Sequence, residues 1–250
     1  MYKRQNPFFT EFRTEYGAPD FDKIKIEHYE PAFLKGIEEQ NAEIKAIVES
    51  RETPGFENTI VALDNSGRTL ARVKGVFYAL TEADTNDEMS ALSEKIAPVL
   101  SEHNDNIYLN QDLYKRVAAV WQQEQEGKIT LTTEQHRLLD KYYKAFIRSG
   151  AGLDAGKQNR LREINKELST LAITFSNHVL NENNAYRLVI DNEAELAGLP
   201  EWVKTGAAEE AKAVGKEGKW LFTLQNSSRL PLLQYLSLIH ISEPTRRSYI

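Results

Sequence analysis

Apolar residues recur at helical intervals through most of this chain, and Gly, Pro and short polar side chains punctuate the pattern. Over 27–50, Tyr29, Phe33, Ile37, Ile44 and Val48 share one helical face, and Thr53-Pro54-Gly55 ends it. Pro31 lies in the first turn of that segment, where its missing N–H is tolerated. Ile60, Leu63, Leu70, Val73, Phe77 and Leu80 form a second stripe, and Gly67 and Gly75 leave room for a neighbouring helix to come close. Thr85 and Glu88 have capping-box spacing ahead of Met89, Leu92, Ile96, Val99 and Leu100. Pro98 is expected to bend that helix, because its ring meets the carbonyl of Glu94. Leu113, Val117, Val120 and Trp121 mark a helix ending near Gly127. Thr132 and Gln135 supply a second capping box, and Leu138, Leu139, Tyr142, Tyr143 and Phe146 follow before the stop at Gly150. Leu161, Ile164, Leu168, Leu171 and Phe175 step 3, 4, 3, 4, which predicts a long helix packed through an a/d seam in coiled-coil manner.

The pattern changes at both ends. Phe8, Phe9, Phe12, Tyr16 and Phe21, interrupted by Pro7, Gly17 and Pro19, read as an extended arm over 1–25 that buries its rings on the body. Residues 186–190 read as a strand, 201–214 as a short helix, and 219–224 as a second strand able to pair with the first. The expected fold is mainly α, with a small β-hairpin near 186–224. The expected organisation is a helical region over 1–184, the start of a mixed α/β region over 185–235, and a tail over 236–250.

Composition narrows the function classes. The 250 residues are 41% apolar and 27% charged, with a formal charge of −6. That is globular material. Its mild acidity leaves no footprint for nucleic acid or an anionic membrane. Cysteine is absent, which rules out disulfides, thiol catalysis and thiolate metal sites within these residues. The opening MYKRQNPFF is followed by no apolar stretch and does not read as a signal peptide. A cytoplasmic location with no membrane partner is the expectation.

Catalytic motifs are missing. A helical zinc site needs His-Glu-x-x-His, whose i, i+4 spacing puts two imidazoles on one face. The histidines are His28, His103, His136, His178 and His240, and no two lie within four residues of each other. His28 reads as a helix cap. His103 reads as a helix-end residue favoured by the dipole. His136 and His178 read as residues on polar helical stretches. There is no G-x-S-x-G elbow and no Walker loop. Gly150-Ala151-Gly152 reads as a helix stop, and Glu38-Glu39 and Glu209-Glu210 as solvated helix faces. No catalytic, cofactor-binding or metal-ligating residue is assigned.

Five stretches together resemble one family. They are 21–33 (FDKIKIEHYEPAF), 56–63 (FENTIVAL), 96–103 (IAPVLSEH), 146–153 (FIRSGAGL) with the heptad seam behind it, and 222–235. In this order they resemble the opening part of the thimet oligopeptidase and peptidyl-dipeptidase zinc metallopeptidases. The NPFF opening resembles the bacterial peptidyl-dipeptidase branch. The resemblance implies the N-terminal helical half of a two-lobed enzyme around a narrow channel. It implies short peptides as substrates, dipeptides released from the C-terminus, and zinc held by His-Glu-x-x-His and a later Glu. An endo-acting oligopeptidase of the same family is the alternative, and a non-enzymatic helical interaction module is the alternative of another class. No position here matches the zinc or catalytic residues, so the chain as it stands is expected to be inactive and to bind no zinc.

The end of the chain carries its own reading. Residues 236–246 (LSLIHISEPTR) resemble a translated sequencing-transposase adapter, which makes 236–250 a non-native tail and Tyr235 the last natural residue. The strands and the Trp202 helix are then expected to expose apolar surface and to associate.

Overall fold

Several helix starts in this molecule are set by side chains that accept otherwise unpaired backbone N–H groups. The computed structural model describes residues 6–237. It divides into two compact units, Met1–Thr174 and Phe175–Ile250. The molecule is mainly α-helical with one two-stranded antiparallel sheet.

In the first unit, α1 (Ile26–Glu49) opens with the Lys25 N–H donating to His28 Nδ1 at 3.0 Å. Pro31 is the sixth residue of this helix and not in its first turn. The N–H it lacks would have met the carbonyl of Glu27, which lies on the exposed side of the helix. A π-helical segment (Phe56–Val61) runs into the short α2 (Ala62–Asp64), and α3 (Arg68–Ala83) follows. The single stripe read from Ile60 to Leu80 is therefore two pieces, broken where Gly67 adopts φ +71°. The break sends Ile60 and Leu63 to one cluster and Leu70, Val73 and Phe77 to another.

α4 (Asp87–Tyr108) is capped by Asn86, whose side chain accepts from the Met89 N–H at 2.9 Å. Thr85, the expected cap, lies one residue too early. α4 is continuous through Pro98. Asn110 accepts from the Asp112 and Leu113 N–H groups to start α5 (Gln111–Gln125). The Thr132–Gln135 capping box closes as expected at the head of α6 (Thr133–Arg148). At its foot Gly150, with φ +91°, donates to the Ile147 carbonyl, and the Ala151 N–H reaches back to Phe146. That double bond pattern is a Schellman stop.

Two buried clusters fill this unit. One gathers Ile44, Ile60, Leu113, Val117, Leu139 and Phe146. The other gathers Phe8, Tyr29, Phe33, Val73, Phe77 and Ile96, with ring contacts of 5.1–5.3 Å among Phe8, Tyr29, Phe33 and Phe77. The close helix approach falls at Gly36. A Cβ there would lie 2.8 Å from the backbone N and Cα of Leu70, whereas Gly75 faces open space. The N-terminal arm docks only in part. Phe8 is fully buried and Arg72 Nη1 donates to the carbonyls of Phe8 and Thr10, but Tyr16 and Phe21 are exposed.

The long helix α7 (Ala155–Ala185) contains no buried residue. Among the described residues, most of its a/d seam is uncovered: Leu161 is half-buried, but Leu168 is 56% and Leu171 53% exposed. The residues that hold α7 are polar. Arg162 Nη1 donates to Asn106 Oδ1 and Asn165 Nδ2 to Asp105 Oδ1, each at 2.8 Å. These bonds fix one polar edge of the helix on the first unit, with Leu161 half-buried beside it and Leu168 and Leu171 left exposed.

In the second unit, β1 (Leu188–Ile190) pairs antiparallel with β2 (Trp220–Phe222), with Leu188 opposite Phe222 and Ile190 opposite Trp220. α8 (Glu201–Ala213) lies between the strands in sequence, and α9 (Asn226–Tyr235) follows them. Ile190, Leu196, Val203, Ala207, Phe222 and Leu232 form the core of this unit, and Leu236 packs on them. Phe175 and Trp202 are exposed in it.

Candidate functional site

The described histidines lie on separate helices. His28 caps α1, as expected. His136 is exposed on α6, with Nδ1 2.7 Å from Glu124 Oε1. His178 is exposed on α7. His103 departs from expectation. It sits inside α4, five residues short of the helix end, and is only 5% exposed. Burial lowers its pKa, with a further contribution from Lys74, so it is the neutral form that the site favours and the dipole argument does not apply. His240 lies outside the described residues.

His103 lines a small cavity of about 180 Å³ with Gln40, Asp64, Lys74, Tyr108 and Tyr142. The hydrogen bonds assign roles. Gln40 Nε2 donates to Ser66 Oγ at 3.1 Å, and the Ser66 hydroxyl donates to the Leu63 carbonyl at 2.7 Å. Gln40 therefore offers its oxygen to His103, and His103 Nε2 is the donor across 2.8 Å. His103 Nδ1 has no protein partner. Across the cavity Tyr142 donates to Asp64 Oδ1 at 2.8 Å. Burial first, then Asp64, pushes the Tyr142 phenol above its ordinary pKa. Among the described residues, no nucleophile or carboxylate bonds His103, and its one committed nitrogen joins α4 through Gln40 to α1 and the 65–67 turn. The arrangement is a packing clasp.

A second hollow, a cleft of about 890 Å³, lies along the outer face of α1. Phe9, Leu34 and Leu92 give it an apolar floor, and Glu27, Glu30 and Glu38 rim it. Lys95 pairs with Glu30 at 2.6 Å and Lys35 with Glu38 at 3.2 Å, so most of that acidity is already compensated. Among the described residues, no three His, Asp or Glu side chains come together in a group able to hold a metal ion.

The comparisons with known proteins reach the whole fold. The chain is 40% identical over 228 residues to dipeptidyl carboxypeptidase of Escherichia coli, covering 91% of this chain and 33% of that protein. It is 31% identical over 244 residues to oligopeptidase A of Salmonella typhimurium, covering 98% of this chain and 35% of that protein. Its homologues are peptidases of the thimet oligopeptidase family. It is also 24% identical over 241 residues to a probable cytosolic oligopeptidase A of Arabidopsis thaliana, covering 94% of this chain and 34% of that protein. The chain spans about a third of the length of these curated relatives. No family model matches it.

The stretches that carry the resemblance are packing joints. In 56–63, Asn58 Oδ1 accepts from the Gly55 N–H at 2.8 Å while its Nδ2 donates to Glu52 and to the Thr53 carbonyl. Arg116, buried at 8% exposure, donates to the carbonyls of Ser50 and Glu52 and so ties the same loop to α5. Sequence reasoning missed both roles, because a buried Arg and an Asn in a loop carry no periodic signal. The stretch 96–103 ends on the His103 clasp, and 146–153 is the Schellman stop.

Proposed function

We propose that this chain is the N-terminal portion of a cytoplasmic zinc metallopeptidase that hydrolyses short peptides and releases dipeptides from their C-termini. The observation that carries this reading is a 40% identity extending over 91% of the chain but only 33% of a dipeptidyl carboxypeptidase. The lower identity to oligopeptidase A, 31%, supports dipeptide release over internal cleavage. On this reading the chain alone is inactive and binds no zinc, because His-Glu-x-x-His belongs to the part of the enzyme it does not contain. It meets neither nucleic acid nor membrane; among the described residues, no helix is long and apolar enough to cross one. Residues 236–250 are adapter-derived on the same reading.

Sequencing the gene across codon 235 tests the proposal. An uninterrupted frame with His-Glu-x-x-His downstream is expected, and a stop codon soon after Tyr235 would assign the chain to a free-standing helical module instead. The full-length product should release dipeptides in a zinc-dependent manner. Internal cleavage products would move it to the oligopeptidase branch.

A further inference from the structure

Among the described residues, the middle of the apolar stripe of α7 is uncovered. An amphipathic surface helix turns its apolar stripe inward and its charges to water. In the first unit α7 is held by Arg162 and Asn165, with Gln158 Nε2 3.4 Å from the carbonyls of Gly150 and Ala151. Burial raises the Asp105 carboxyl, and the Asn165 hydrogen bond and Arg162 pull it back. Ile164, Leu168 and Leu171 meanwhile stand 37%, 56% and 53% exposed. Single exposed apolar residues are ordinary, but a row at heptad spacing is a contact surface. The sequence around it agrees. From Leu168 to Asn181 there is no Asp, Glu, Lys or Arg, in a chain that is 27% charged. Those four turns of helix carry no ionic residue to compete with an apolar contact.

We propose that Ile164, Leu168 and Leu171 form the docking seam for a helix supplied by the part of the peptidase that follows this chain. This rests on the reading given under Proposed function. The 3, 4 spacing selects a helix crossing at a shallow angle over a strand or a loop. The relatives have polypeptide to supply it, since the matched 228 residues are only 33% of the E. coli enzyme. A second copy of this chain is the weaker occupant. Self-pairing helices use flanking charges to fix partner and register, and from Leu168 to Asn181 this seam has none. A covalently linked partner needs no such charges, because its effective concentration is set by the chain itself.

The test exploits the lack of cysteine in all 250 residues. Leu168→Cys and Leu171→Cys each place one thiol on the seam, and Glu163→Cys places one on the exposed charged side of the same helix. Maleimide labelling rates are read by peptide mass spectrometry in the 250-residue chain across a dilution series. They are read again in a fusion whose Tyr235 continues into the remaining part of the E. coli dipeptidyl carboxypeptidase. All three thiols should react alike in the chain alone. In the fusion the two seam thiols should slow by at least about tenfold, as expected when labelling must wait for local opening, while Glu163→Cys is unchanged. Equal seam reactivity in chain and fusion overturns the proposal. So does protection that appears in the chain alone and grows with concentration, which assigns the seam to a second copy. Dipeptide release by the fusion is scored separately. Release with an unprotected seam rejects the docking alone, and a protected seam without release rejects the peptidase reading alone. If the fusion is insoluble, the same substitutions in the product of the uninterrupted gene give the same readout.

Discussion

Gly36 and His103 show how single positions hold the first unit together. Gly36 lets α3 come so close to α1 that any side chain would meet the backbone of Leu70, and backbone cannot rotate away. Gly36→Ala should therefore destabilise the chain by about 1–3 kcal/mol through overpacking, although alanine is the better helix former. Urea unfolding of the two proteins measures this, and an unchanged or raised midpoint would refute it. His103 sets a pH dependence. Its folded pKa lies below the 6.5 of a free imidazole. As pH falls below 6.5 the unfolded chain takes up a proton that the folded chain refuses, so stability drops until the folded pKa is passed. Asp105, whose folded pKa is raised, acts in the opposite direction and at lower pH, above 3.8. Thermal melts from pH 8 to pH 5 should show a loss that is smaller in His103→Gln, which keeps a donor to Gln40 and cannot titrate. Equal slopes in the two proteins would exclude His103 as the source.

At the scale of elements, caps and stops follow local chemistry and stripes depend on what surrounds them. Asn86 satisfies a free N–H of α4 directly. Asn86→Ala should cost about 1 kcal/mol, the usual worth of such a cap, and Thr85→Ala much less. Equal losses from the two would restore Thr85 as the cap. The seam of α7 gives a sharper contrast. Leu168→Gln with Leu171→Gln should change the stability of this chain by less than about 0.5 kcal/mol, because neither side chain is buried in it and glutamine keeps the helix. At a buried site, in contrast, truncating Leu139→Ala should cost about 2–5 kcal/mol through the cavity it leaves. Chemical denaturation of the two variants decides between a solvated and a packed seam.

At the scale of the molecule, the first unit rests on two separate buried clusters, one around Leu139 and Phe146 and one around Phe33 and Phe77. Residues with no shared partner act independently. Leu139→Ala and Phe77→Ala should therefore lower stability additively to within about 0.5 kcal/mol in the double variant. A larger coupling energy would mean that the clusters form one core. The sequence by itself determined the helix and strand types, the Thr132 and Gly150 signals and the hairpin of 188–190 with 220–222, because periodicity, capping and turn chemistry act over a few residues. It could also exclude a His-Glu-x-x-His site, since that chemistry is a spacing. Tertiary structure alone decided the break at Gly67, the buried neutral state of His103, the joint roles of Arg116 and Gly36, and the uncovered middle of the α7 seam. Each of these depends on partners tens of residues away. A stripe of leucines states that a helix wants a neighbour, and only the folded chain shows whether the neighbour is present.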